Sequence, residues 1–344
     1  MLVDSRDAKI QDPKPSWRQA ISTYNQPSLG KAIWQLLNTF IPYLILWGLM
    51  IYTIQQAYPY WVTLALIVLA AALLVRIFIF FHDCCHHSFF ASRRMNRILG
   101  YVSGILTFTP YEAWQHSHAV HHATAGNLDR RGVGDIWTLT VEEYLAAPRR
   151  KQLAYRFYRN PGVMFGLGPA FVFLIGQRFF LKKASKRERY SVIITNLALA
   201  VIIVVASLTI GLRTYFLIQL PIMLIAGAAG VWLFYVQHQF EGVYWARHEA
   251  WDPIKAALEG SSYYKLPKLL QWCTGNIGLH HIHHVRPRIP NYNLQKCYDD
   301  IPALQAVEPL TIRKSLKSLR MNLWDEKQQQ LVGFGSLKTR PQPG

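Results

Sequence analysis

Charged residues vanish from this 344-residue chain over two long stretches. None occurs between Lys31 and Arg76, and from Ser191 to Gln237 the only charge is Arg213. Each stretch is roughly twice the ~20 apolar residues that a helix needs to cross a bilayer. Each also has a polar or glycine-bearing midpoint, Gln55-Gln56-Ala57-Tyr58-Pro59 in the first and Gly211-Leu212-Arg213 in the second. The pattern predicts two helical hairpins, with spans near 33–54, 59–81, 191–210 and 214–237. The expected fold is an all-α integral membrane protein of four transmembrane helices with a helical cap. Residues 1–31 and 301–344 read as N- and C-terminal tails around a membrane domain at 32–300.

Two further apolar runs, 98–110 and 162–180, fit that count only if they do not cross. The first is short for a crossing. The second is interrupted by Gly166, Gly168, Pro169 and Gly176, and crossing would carry the basic run at 182–189 to the other side. Both are expected to lie at the interface. In 310–324, Ile312, Leu316, Leu319 and Leu323 share one helical face, with Arg313, Lys314, Lys317 and Arg320 between them. That spacing predicts a basic amphipathic helix for the headgroup layer or the cap.

The net charge of +18 suggests nucleic acid until its distribution is considered. Of the 37 Lys and Arg residues, 35 fall in 1–31, 82–190 and 238–344. Four spans would place those segments on one side, and positively charged loops stay cytosolic. The expectation is therefore an inner or plasma membrane protein with both termini cytosolic, meeting anionic headgroups and an acidic soluble partner rather than nucleic acid. The N-terminal MLVDSRDAKI is polar and reads as no cleavable signal. Cys84 and Cys85 are adjacent while Cys273 and Cys297 are distant, which is no disulfide framework, and the expected compartment is reducing.

Eleven of the thirteen histidines fall into three clusters, HDCCHH at 82–87, HSHAVHH at 116–122 and HHIHH at 280–284. His82 and His86 are one helical turn apart. His118, His121 and His122 are spaced i, i+3, i+4, as are His280, His283 and His284, so each set shares a face. His238 stands alone but follows the fourth expected span as His82 follows the second. Nine imidazoles exceed what one ion accepts, whereas a pair of ions with four or five ligands each uses them all. Neutral imidazole suits zinc, copper, iron and nickel. Structural zinc usually includes thiolates and needs four ligands, so a redox-active pair fits this count better. His87, His116 and His281 read as spacers or neighbours of the ligands, and His248 as a structural histidine.

These residues resemble the membrane fatty acid desaturases, nearest the bacterial acyl-lipid type of Bacillus and cyanobacteria. The resemblance rests on HDCCHHSFF at 82–90, WQHSHAVHH at 114–122, FYVQHQFEGVYW at 234–245 and TGNIGLHHIHHVRPRIPNYNL at 274–294, and runs from about Ile33 to Leu323. It implies a non-haem di-iron centre held by His82, His86, His118, His121, His122, His238, His280, His283 and His284. It further implies insertion of a cis double bond into acyl chains of membrane lipids with O2 and two electrons, and a separate ferredoxin or flavodoxin as donor. Asp83, Asp135, Glu241 and Asn276 are candidate partners for the outer imidazole nitrogens. Departures include Cys85 and the doubled His86-His87 in the first box, and ATAGNL after the second. A delta-5 position is the nearest resemblance, although the residues alone do not select a carbon. Two other readings compete: a hydroxylase or ketolase acting on alkanes or carotenoids, which has similar boxes, and, outside enzymes, a metal transporter. The transporter is disfavoured because no histidine lies inside an expected span.

Overall fold

The computed structural model describes residues 16–339, so residues 1–15 of the expected N-terminal tail lie outside it. The first uncharged block folds into α1 (Leu29–Gln55) and α2 (Tyr60–Cys85). Two shorter helices follow, α3 (Arg93–Leu106) and α4 (Tyr111–Thr124). The second block gives α5 (Lys186–Thr209) and α6 (Leu212–His238). All four long helices have the length and apolarity to cross a membrane.

All four run past a boundary that charge depletion alone predicts, because a helix ends at its caps rather than where its apolar run stops. Ser28 starts α1 by accepting a hydrogen bond from the Lys31 N–H. At the start of α5, Ser185 and Glu188 form a capping box over a charged first turn. The extension of α2 to Cys85 puts His82 on the helix, and α6 ends on His238 itself. Between α5 and α6 the chain turns at Gly211, whose φ of +83° suits only glycine.

α2 is the central helix. Its apolar window is 61% buried, against 22% for α1 and α5 and 39% for α6. Ile67, Ala70, Leu74 and Ile77 of α2 form one core with Tyr43 and Met50 of α1 and Ile218 and Ile222 of α6. α2 also carries a buried charge, Arg76. Its Nε donates to Thr39 Oγ1 at 3.0 Å, its Nη1 to the Trp272 carbonyl, and its guanidinium lies 4.1 Å from the Trp272 ring centroid. Those contacts offset the cost of removing the guanidinium from water and tie α2 to the cap.

The apolar run at 98–110 lies largely on α3, whose 14 residues are too few to cross. The run at 162–180 is a broken helix of π and 3-10 turns over Val163–Arg178, also below spanning length.

Within the mostly helical fold, the described residues of the cap carry five short strands. They are β1 (Leu139–Thr140), β2 (Tyr263–Lys265), β3 (Pro309–Thr311), β4 (Leu323–Asp325) and β5 (Gln330–Val332). β4 lies between β1 and β5, parallel to the first with Leu139 opposite Leu323, and antiparallel to the second. β2 and β3 are parallel, with Tyr264 opposite Leu310. The amphipathic helix expected over 310–324 is accordingly replaced by β3, one helical turn at Ile312–Ser315, a 3-10 turn at Leu316–Arg320 and β4. Pairing of both ends with distant strands overrides the helical spacing. Ser315, Ser318 and Leu323 are buried, whereas Ile312 and Leu316 are exposed. Two further cap helices matter below, α7 (His280–Val285) and α8 (Asn291–Asp300).

Candidate metal centre

The nine histidines singled out by spacing converge from four places in the chain onto the same end of α2 and α6. They form two groups, in each of which one donor atom per residue lies within 4.8 Å of all the others. The first comprises His82, His86, His118, His122 and His283, and the second His121, His238, His280 and His284. α2 and α6 deliver His82 and His238 at their ends. α4 and α7 each present three imidazoles and divide them between the groups.

Hydrogen bonds on the outer nitrogens set the tautomers of two rings of the second group, His121 and His238. His121 Nδ1 donates to Asp135 Oδ1 at 2.6 Å, and His238 Nδ1 donates to the Gly260 carbonyl at 3.1 Å. In neutral rings so bonded, each Nε2 keeps a lone pair. Those two Nε2 atoms nevertheless lie 3.1 Å apart, and His238 Nε2 is also 3.0 Å from His280 Nε2, which is 3.1 Å from that of His284. Lone pairs crowded together repel, and one lone pair cannot accept from two rings along the right direction at once. A cation between them satisfies all of them. Metal–imidazole bonds of roughly 2.1 Å at right angles would separate ligand nitrogens by about 3.0 Å.

The first group repeats this spacing, with His122 Nε2 at 3.1 Å from His118 Nε2 and 3.0 Å from His283 Nε2. His86 Nε2 is buried with no hydrogen-bond partner among the described residues, and a metal bond would satisfy it. Burial, reinforced by neighbouring imidazoles, holds His86, His118, His122, His280, His283 and His284 well below the ordinary histidine pKa. They are neutral near pH 7, the form that binds metal. The residues therefore fit a pair of ions held by nitrogen ligands.

Of the candidate supporting residues, two touch ligands. Asp135 reaches His121 because Gly134 (φ +74°) has no side chain. A Cβ there would lie 2.8 Å from the Ser117 carbonyl and 3.1 Å from His121 Cβ. Asp83 Oδ1 lies 3.4 Å from His82 Nδ1, while its Oδ2 accepts from the backbone N–H and side-chain amide of Asn291 at 2.7 and 2.9 Å. Asn276 is a turn residue with φ +59° that donates to the Asn291 carbonyl. Glu241 is placed away from the histidines, exposed and paired with Lys317 at 3.0 Å.

The remaining histidines separate likewise. In the doubled first box it is His86 that joins the cluster, while His87 turns aside with φ +54° beside Gln115. His116 is exposed, 4.0 Å from Glu188. His281 is buried on the far face of α7, with its Nε2 bonded to the Leu304 carbonyl. His248 lies between Asn127 and Arg130. Asn291 and the Gly260 carbonyl escape the sequence reading. Asn291 sits in the quoted text after the third box, but nothing local signals that its amide holds Asp83. A backbone carbonyl leaves no residue-type signature at all.

A cavity of about 420 Å³ opens beneath the histidines, between α2, α6 and the Val163–Arg178 segment. Its walls are largely apolar, including Leu74, Phe78, Met223, Gly230 and Phe234. Its histidine end is formed by His82 and His118 of one group and His280 of the other.

Residues 56–314 match the fatty acid desaturase family. The chain is also 52% identical over 321 residues, 93% of its length, to a fatty acid desaturase of Bacillus subtilis (strain 168), covering 91% of that protein.

The chain belongs to the fatty acid desaturase family.

More distant desaturases are also similar to the chain. An sn-1 oleoyl-lipid 12-desaturase of Picosynechococcus sp. is 25% identical, with 73% of this chain and 72% of that protein aligned. An sn-1 acyl-lipid omega-3 desaturase (ferredoxin) of Nostoc sp. is 26% identical, with 72% and 69% aligned. Among the described residues of this desaturase family member, the nine histidines account for both metal-capable groups.

Proposed function

We propose that the protein is a membrane acyl-lipid desaturase that converts two adjacent methylenes of an acyl chain into a cis double bond. The balance is one CH₂–CH₂ unit, one O2, two electrons and two protons in, and one CH=CH unit and two waters out. The observation that carries this reading is the apolar cavity meeting both histidine groups at one end. A passage lined by Leu74, Phe78 and Phe234 suits a hydrocarbon chain.

The nine histidines would hold two iron ions, which supply the O2-dependent oxidation that side chains cannot perform. The chain's own residues do the rest. The cavity wall excludes water and holds the methylenes in line with the histidines, converting a weak C–H reactant into a positioned one. Asp135 and the Gly260 carbonyl fix the rings of His121 and His238 by holding a proton on each Nδ1. Asn291 anchors Asp83 beside His82.

The charge distribution supports an orientation with the histidines and both termini in the cytosol. An acidic ferredoxin or flavodoxin would bring electrons to the basic cap, the substrate tail arriving from the bilayer. Expression in a bacterium that lacks unsaturated phospholipids, followed by mass spectrometry of its fatty acids, tests the reading. The expected product is two mass units lighter, with the double bond at the delta-5 position favoured by the Bacillus resemblance. A gain of sixteen units, or no new fatty acid from membrane-inserted protein, would overturn it.

A further inference from the structure

Resting on the acyl-chain reading of the cavity, we infer that Gly230 sets how much hydrocarbon can lie beyond the reacting carbons, and so acts as a chain-length determinant. The cavity side of α6 carries Met223, Ala226, Gly227, Gly230, Phe234 and Gln237, at the three- and four-residue spacing of one helical face. Gly230 precedes His238 by eight residues, about 12 Å along the helix axis. On α2, Leu74 lies eight residues before His82 and lines the same cavity. Gly230 and Leu74 thus face the passage at a comparable depth, with Ala226 and Met223 farther from the histidines.

The two glycines of this face do different work. A Cβ on Gly227 would come within 3.1 Å of Pro169 and Phe173, so its bareness lets the broken Val163–Arg178 segment close over α6. A Cβ on Gly230 would meet nothing within 4 Å. No packing requirement accounts for glycine there, although glycine weakens a helix interior by roughly 1 kcal/mol relative to alanine. What its missing side chain leaves is open volume in the wall of the passage. A larger residue would project into that volume and divide the part near the histidines from the part beyond.

The test compares G230A and G230L with the wild type in cells whose phospholipids carry both 16- and 18-carbon chains, reading the ratio of unsaturated products. Gly48, exposed on α1 and also free of neighbours, supplies the control variant G48L. Removing or blocking room for a methylene changes discrimination by roughly tenfold or more. G230L is expected to shift the product ratio toward the shorter chain by at least about that factor. G230A should move it in the same direction by less, and G48L should leave it unchanged. Bound metal and membrane abundance should match the wild type in all three. An unchanged ratio in G230L overturns the inference while leaving the desaturase reading intact. If G230L makes no product, G230A decides, and either an unchanged ratio or complete loss of product in G230A overturns it. Absence of product from the wild type itself would sink the function, not the determinant.

Discussion

At the scale of single residues, the centre depends on what holds the outer edges of His121 and His238. Asp135 bonds His121 Nδ1 at 2.6 Å, and its side chain is largely covered. Replacing it with asparagine keeps the shape but removes the charged acceptor. Such partners typically govern metal affinity or activity by 10–100-fold, so D135N is expected to purify with markedly less iron, measured by elemental analysis. A full complement of metal would show that His121 needs no such support. Cys297 offers a second test. Burial, with a smaller contribution from Asp300, pushes its thiol up to about 12, and all four cysteines are buried. Thiolate is the reactive form, so native protein at pH 8 is expected to resist alkylation until unfolded. Rapid labelling would contradict this packing. At this scale the sequence was highly legible for the histidines, because i, i+3, i+4 spacing reports a shared face. It was silent on how each box divides between the groups. That depends on which neighbour each ring meets across α4 and α7, information held by the fold and not by the spacing. Glu241 shows the converse failure, since a carboxylate three residues from His238 in sequence points to Lys317 instead.

At the scale of elements, charge depletion located four helices but stopped short of their capped ends. The strands escaped because two or three residues cannot display an alternation, and, apart from β4 and β5, their partners lie far away in sequence, as Leu139 and Leu323 do. Helical periodicity at 310–324 was real on paper and lost to that pairing. The turn between α5 and α6 is a cleaner case. Gly211 has φ +83° and ψ 143°, and no atom lies within 4 Å of where a Cβ would stand. Any cost of G211A is therefore backbone strain without a clash, of order 1–3 kcal/mol. Thermal unfolding in detergent should show a lowered midpoint with bound metal unchanged below the transition. An unaltered midpoint would mean the turn relaxes freely.

For the whole molecule, four crossings would return the chain to the side on which α1 begins, and the histidine-bearing cap gathers at that end of the helices. A reporter enzyme active only outside the cytosol, fused within the Gly211 turn, is expected to be active, whereas the same fusion after Ala184 should be silent. The opposite pattern would invert the orientation drawn from basic residues.

The sharing of α4 and α7 between both histidine groups carries one more consequence. Neither helix can shift to welcome one ion without disturbing the seat of its neighbour, since His121 and His122 are adjacent on one backbone, as are His283 and His284. Filling is therefore expected to be concerted, with half-loaded molecules scarce at substoichiometric iron. Damage to either seat should empty both.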